Sequence, residues 1–175
     1  ILEGTLRELV GEVLIEELPV RFGCNAVDLV SGKEVNFTKG PLYQALRASM
    51  AFPFIIEPAR FSGMLLVDGG LINNLPVGLA RELGAAKVLV PDVHRSLKKM
   101  AARRFDSTFI MVHRLIQIVL ADSTESKLSE ADLIINLNPQ VDTFEFTRVK
   151  QVVALGKKVT LLNLRTIRRF INQVS

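Results

Sequence analysis

One stretch in the middle of the chain predicts a strand, a turn and a helix in immediate succession. Met64–Val67 is a short apolar run of the kind that forms a strand buried on both faces. Asp68 follows at the expected end of that strand, and Gly69 and Gly70 can take a positive φ or admit a close backbone neighbour. An early proline and a following glycine predict a helix over Val77–Leu83.

This pattern leaves two interpretations of Asp68 open. Open α/β sheets place their sites at the carboxyl ends of buried strands, so a carboxylate on a glycine turn there is a candidate for catalysis. An aspartate in a turn also commonly caps its own backbone, with no further role. Spacing alone does not separate the two.

The segments around Asp68 resemble a known enzyme family. They read ALRASMAFP (from Ala45), LVDGG (from Leu66), NLPV (from Asn74) and ARELGA (from Ala80). Together they are similar to the second half of a patatin-like acyl hydrolase, from about Leu18 to near the C-terminus. The resemblance implies an α/β fold, with a mostly parallel sheet flanked by helices.

The resemblance also implies roles for individual residues. In patatin-like proteins the aspartate of the D-G-G motif is the general base of a Ser–Asp dyad that cleaves lipid acyl esters, which assigns that role to Asp68. Gly69 and Gly70 would shape the turn that orients it, and Asn74 would hold the loop. The implied substrate is a lipid or another acyl ester, and no cofactor or metal is implied.

The nucleophile of such a dyad is not found in this sequence. None of the serines lies in a G-x-S-x-G context, and no glycine-rich turn precedes a strand and helix as an oxyanion loop would. In patatin-like proteins both features lie N-terminal to the matching region. We therefore expect residues 1–175 to be a single domain, the C-terminal portion of a patatin-like domain, inactive without the N-terminal segment of the same protein.

Other hydrolytic chemistries fit the sequence less well. His94 and His113 follow Asp68 in the chain order of a Ser–His–Asp triad, but His113 lies in an apolar helix and His94 adjoins a basic run. Asp68 with Asn73 or Asn74 offers three oxygens to a hard cation, fewer than the 6–8 that calcium normally takes. A dyad with aspartate as the base is the interpretation we favour.

Charge and aromatic content restrict the classes of partner that this chain can bind. A net charge of +4 is too small to indicate a nucleic-acid partner, and one Tyr and no Trp provide few stacking side chains. The basic run Arg95–Arg104 and the helical region Phe144–Val174 are interpreted first as solvated faces, with peripheral contact to an anionic membrane surface as the alternative. A cytoplasmic or peripheral-membrane location follows as an expectation.

The rest of the chain alternates between helical and strand patterns. Asp28 is interpreted as a turn residue after a strand, and Phe54 and its apolar neighbours as core or as the wall of an acyl pocket. A strand at Lys87–Val90 would complete a βαβ unit with Met64–Val67, which predicts that the two strands are parallel neighbours. The other predicted elements are helices at Ile1–Ile15, Leu42–Met50 and Phe109–Leu120 and strands at Val20–Asp28, Lys33–Thr38 and Ala131–Leu137.

Two rival functions remain open at this point. The chain could be a scaffold or membrane-associating module that keeps the fold and lacks the nucleophile by nature. It could also be a fragment whose catalytic half is supplied by another chain. A G-x-S-x-G motif upstream of Ile1 would favour the enzyme over the scaffold.

Overall fold

The computed structural model describes residues 2–93, 97, 99–139, 141 and 146–173. The helices are α1 Leu2–Val10, α2 Leu42–Ser49, α3 Gly70–Asn73, α4 Val77–Glu82, α5 Thr108–Leu128, α6 Val149–Leu162 and α7 Leu164–Asn172. The strands are β1 Cys24–Asp28, β2 Lys33–Phe37, β3 Ala59–Phe61, β4 Met64–Asp68, β5 Leu89–Asp92 and β6 Leu133–Asn136. The described part of the chain contains no helix long and apolar enough to cross a membrane.

Four strands form an antiparallel sheet in the order β2-β1-β4-β3. The predicted hairpin between β1 and β2 is present, and Asp28 and Lys33 form the pair of residues next to its turn. β4 lies inside the sheet, since β1 pairs with it on one side and β3 on the other. Both hydrogen-bonding edges of β4 are therefore occupied.

Helix α2 packs on one face of this sheet through small side chains. Ala45 and Ala48 are buried, as is Ala51 just after the helix, and these small side chains let the helix lie close to the sheet. The core that Ala45 and Ala48 join also contains Ile15, Ala26, Phe37, Ala59 and Leu66. Leu66 lies in the centre of β4 and is fully buried, so the strand that ends at Asp68 is fixed by both hydrogen bonds and packing.

The predicted βαβ pairing is wrong. β5 pairs in parallel with β6, in a separate two-stranded sheet, and β4 has no free edge for it. Helix α4 and β5 instead share a second core of Val77, Val88 and Val90. The mixed α/β class is confirmed, whereas the mostly parallel sheet is found only in part, because three of the four described strand pairings are antiparallel.

The apolar helix after residue 107 is longer and more exposed than a core helix. α5 extends to Leu128, and Phe109, Leu115 and Val119 on it are exposed. Phe54 and Ile55 in the loop after α2 are exposed as well, so a core position is wrong for both. The C-terminal helical region is divided at Asn163, whose side-chain amide donates to the carbonyl of Val159 at 2.9 Å.

Candidate functional site

Asp68 is the last residue of β4 and is half-buried. Its backbone N–H donates to the carbonyl of Ala51 at 3.1 Å, which brings the loop after α2 beside it. Its carboxylate Oδ1 accepts a hydrogen bond from the N–H of Gly70 at 2.8 Å. Burial raises the pKa of the carboxyl above its ordinary value of 3.8, and the Gly70 bond opposes part of that shift. A carboxylate in this setting is a stronger base than an exposed aspartate.

Gly69 is required by lack of space, not by an unusual φ. Its φ is −63°, within the range of any residue. A Cβ at this position would lie 2.4 Å from Oδ1 of Asn25 and 2.5 Å from the Asn25 carbonyl oxygen. Of the two reasons for a glycine that the sequence leaves open, the structure thus selects close approach of a neighbouring backbone.

An amide network holds the turn against the sheet. The side-chain amide of Asn25 donates to Oε1 of Glu34 and to the carbonyl of Asn73, both at 2.8 Å. The side-chain amide of Asn73 reaches the same Glu34 oxygen at 3.0 Å. β1, β2 and α3 are therefore joined at one carboxylate. Sequence analysis did not single out Asn25 or Glu34, although a buried asparagine inside a strand is a signal for such a network.

Gly70 lies close to both the Asp68 carboxylate and the Asn74 side chain. A Cβ on Gly70 would be 2.9 Å from Oδ1 of Asn74 and 3.0 Å from Oδ1 of Asp68. The Asn74 side-chain amide lies 3.5 Å from the hydroxyl of Thr124, a buried residue of α5. All four residues of the predicted site, Asp68, Gly69, Gly70 and Asn74, thus lie within residues 68–74, and Asn74 connects this segment to α5.

Exposed apolar side chains occur in the loop after α2, on α3 and on α5. Phe54 is 58% exposed and meets the ring of Phe109 edge to face, with centroids 5.4 Å apart. Ile72 on α3 and Ile55 in the loop after α2 are also exposed. Phe54 has a φ of 72°, which is uncommon for an aromatic residue. The loop after α2, which reaches Asp68 through the Ala51 carbonyl, and α3, which follows Asp68 in the chain, thus both carry exposed apolar side chains.

The two histidines are placed differently. His113 is half-buried on α5 and stacks on Phe109 with an interplanar angle of 6°. Burial, and secondarily the positive charge of Arg114, lowers the pKa of His113. His94 lies outside the described residues, as do Arg95 and Lys98 of the predicted basic run.

A groove of about 740 Å³ lies elsewhere, between residues 20–23 and helix α4. Its lining includes Phe22, Leu79 and Leu83 and none of the four residues of the predicted site. We therefore assign the candidate site by the chemistry of Asp68 and not by the size of a cavity.

Comparison with known proteins gives a family for the part of the chain that contains the Asp68 turn. The sequence model of the patatin-like phospholipase family matches residues 1–81. That segment belongs to the patatin-like family. The patatin-like segment contains β1 to β4, α3 and most of α4, and with them the Asp-Gly-Gly turn and its amide network.

Individual relatives agree with the patatin-like assignment. An uncharacterized NTE family protein of Mycobacterium tuberculosis is 47% identical over 72 residues, or 41% of this chain and 20% of that protein. A patatin-like phospholipase domain-containing protein of Caenorhabditis elegans is 36% identical over 91 residues, 51% of the chain and 7% of that protein. A lysophospholipase of Candida albicans is 30% identical over 79 residues, 45% of the chain and 6% of that protein. The chain thus spans a fifth or less of the length of these relatives.

Proposed function

We propose that this chain supplies the general base of a Ser–Asp dyad that hydrolyses lipid acyl esters, and that Asp68 is that base. One observation carries the proposal: a half-buried carboxylate ends β4 inside a segment of the patatin-like family. The serine nucleophile and oxyanion donors would come from residues outside the 175, because no G-x-S-x-G occurs within them. The lysophospholipase of Candida albicans among the relatives supports a lipid substrate.

The environment of Asp68 supports proton transfer. Oδ1 of Asp68 accepts a hydrogen bond from the N–H of Gly70. Oδ2 of Asp68 has no hydrogen-bond partner among the described residues, so it can accept a proton from a serine hydroxyl. The serine oxygen would then attack the acyl carbonyl, and the proton on Asp68 would pass to the leaving alcohol. Water would then attack the acyl-enzyme, with Asp68 again taking the proton and passing it to the departing serine oxygen. Desolvation favours this role because it increases the basicity of the carboxylate.

The apolar surface beside Asp68 supports a substrate with an acyl chain. Phe54 and Ile55 are exposed in the loop after α2 and Ile72 is exposed on α3, and the ring of Phe109 meets that of Phe54 edge to face. Exposed aromatic and aliphatic side chains that adjoin a polar reacting group suit an amphiphilic ester. We propose that the acyl chain lies along this surface, with its carbonyl toward Asp68.

The test is an esterase assay on the full-length protein that carries this sequence. Asp68→Asn keeps the shape and can still accept the Gly70 hydrogen bond, but it cannot take a proton. We expect kcat on a lysophospholipid to fall about 10²–10⁴-fold. Asp106→Asn, at an exposed position, is the matched control and should leave kcat unchanged. Equal activity of the two variants would reject Asp68 as the base.

The same assay separates the enzyme from the scaffold. A fluorophosphonate probe should label a serine in the full-length protein and none in the isolated 175 residues, which we expect to be inactive. Absence of labelling and turnover in the full-length protein would favour the non-catalytic scaffold. Labelling restored only by a second, different chain would favour a split enzyme.

The pH profile gives a further expectation. The base must be ionised to act, and burial raises the pKa of Asp68 above 3.8. The acidic limb of kcat/KM should therefore have its midpoint above pH 3.8, with activity rising as the pH increases through it. A limb at or below 3.8 would contradict the assignment of that limb to Asp68.

A further inference from the structure

Helices α6 and α7, which we call the C-terminal arm, carry positive charges and no negative ones. Between Val149 and Gln173 there are six lysines and arginines and no aspartate or glutamate. All six cationic residues are exposed: Lys150, Lys157, Lys158, Arg165, Arg168 and Arg169. The arm lies outside residues 1–81, so the family assignment does not account for it.

Apolar side chains share the exposed face of the arm with these cations. Val149, Val153, Lys157 and Leu161 follow one another at intervals of four, so they form a single ridge along α6. All four are exposed, and Val153 and Leu161 retain 66% and 59% of their accessible surface. The opposite side of α6, with Val152, Leu155 and Val159, is half-buried. The outward ridge is therefore apolar and basic at once.

The arm is attached to the rest of the protein at its far end. Nζ of Lys87, two residues before β5, lies 5.3 Å from the centre of the Phe170 ring and 3.3 Å from the side-chain oxygen of Gln173. These contacts turn Phe170 of α7 toward the protein and leave Arg165 and Arg168 exposed. The arm thus has a defined inner side, and its outer side is available to a partner.

We propose that the outer side of the C-terminal arm docks on an anionic lipid bilayer. Aliphatic side chains on the ridge would enter the boundary between headgroups and acyl chains, while lysine stems extend along the helix and place their ammonium groups at the lipid phosphates. A second copy of the chain is a poor occupant because two arms of the same charge repel. Nucleic acid would use the cations but not Val153 and Leu161. This proposal does not depend on Asp68.

Vesicle binding tests the proposal on the full chain. We expect sedimentation with vesicles of phosphatidylcholine and 30% phosphatidylglycerol, little sedimentation with phosphatidylcholine alone, and release as salt is raised. Replacing Lys150, Lys157 and Lys158 together with glutamine should lower the partition coefficient roughly 100-fold. Val153→Ser with Leu161→Ser should lower it as well.

Matched variants make the outcome specific. Lys33, Lys39 and Arg60 are exposed on the antiparallel sheet and its adjoining loop, and replacing all three with glutamine changes the net charge equally. This control and Asp68→Asn should bind vesicles as the wild type does, and far-UV circular dichroism should be unchanged in every variant. Failure to bind anionic vesicles, or an equal loss in the charge control, would overturn the proposal. So would binding to duplex DNA that matches vesicle binding and is unaffected by the two serine substitutions.

Discussion

Asp68 should destabilise the folded state when it ionises. Its pKa is raised by burial above 3.8, so the folded protein holds the proton more tightly than the unfolded chain does. The stability associated with that proton is present below pH 3.8 and is lost as the pH rises through the folded-state pKa. At pH 7, Asp68→Asn should therefore increase the denaturant midpoint.

The pH dependence of that increase is the decisive measurement. Urea unfolding at pH 7 and at pH 3 should show a smaller difference between Asp68→Asn and wild type at pH 3. Asp106→Asn, at an exposed position, is the control for the loss of one charge. A midpoint for Asp68→Asn that is lower than wild type at pH 7 would contradict the effect of burial.

Gly69 and Gly78 differ in their surroundings, so substitution by alanine is predicted to change stability in opposite directions at the two positions. At Gly69 a Cβ would overlap the backbone oxygen and side chain of Asn25, so Gly69→Ala should cost about 1–3 kcal/mol. At Gly78, inside α4, a Cβ meets nothing within 4 Å, and alanine there should stabilise by roughly 0.5–1 kcal/mol. Thermal or urea unfolding measures both, and equal effects would contradict the steric argument.

At the scale of elements, Asp28 joins the β1–β2 hairpin to β4. Its Oδ2 accepts from the Ser31 hydroxyl at 2.7 Å and from the Ser31 N–H at 3.1 Å, and its Oδ1 accepts from the N–H groups of Val30 and Leu65. The predicted turn role is thereby confirmed. The contact with Leu65, 37 residues away, was not predicted because it requires β4 to lie beside β1.

These bonds predict how hairpin stability depends on pH. The Ser31 hydroxyl, followed by the N–H donors, lowers the pKa of Asp28 below 3.8. Asp28 therefore contributes stability above pH 3.8 that is lost as the pH falls through its folded-state pKa. Asp28→Asn should be less stable than wild type at pH 7, by an amount that shrinks at pH 2–3. A constant difference across that range, measured by urea unfolding, would contradict this account.

At the scale of the whole molecule, the described chain has two separate cores. Leu66 belongs to the core of the antiparallel sheet and Val90 to the core around β5, and the two sets share no member. Leu66→Ala should cost about 2–5 kcal/mol and Val90→Ala about 2 kcal/mol. Residues without shared partners act independently, so the double variant should equal the sum within roughly 0.5 kcal/mol. A larger coupling, measured by urea unfolding, would show that the cores behave as one.

Local pattern was sufficient to predict the elements around the candidate site. The run Met64–Val67, the two glycines and the helix after Pro76 were all located within a few residues, because strand burial, turn chemistry and helix ends depend on neighbours in the chain. The hairpin and α2 were predicted for the same reason. The position of Asp68 at a strand end follows from sequence, and its role as a base stays a prediction.

Pairing, exposure and the network behind the turn were decided only by the tertiary structure. β5 could not join β4, since β1 and β3 already occupy both edges of β4. The sequences of β4 and β5 themselves do not show that those edges are occupied. The link from Asn25 through Glu34 to Asn73 brings together residues up to 48 positions apart. The apolar sequence around Phe54 was consistent with core or with an acyl-pocket wall, and only the structure shows that Phe54 is exposed, because burial depends on what packs against a side chain. Hydrophobicity shows only that a residue can be buried, and the fold determines whether it is.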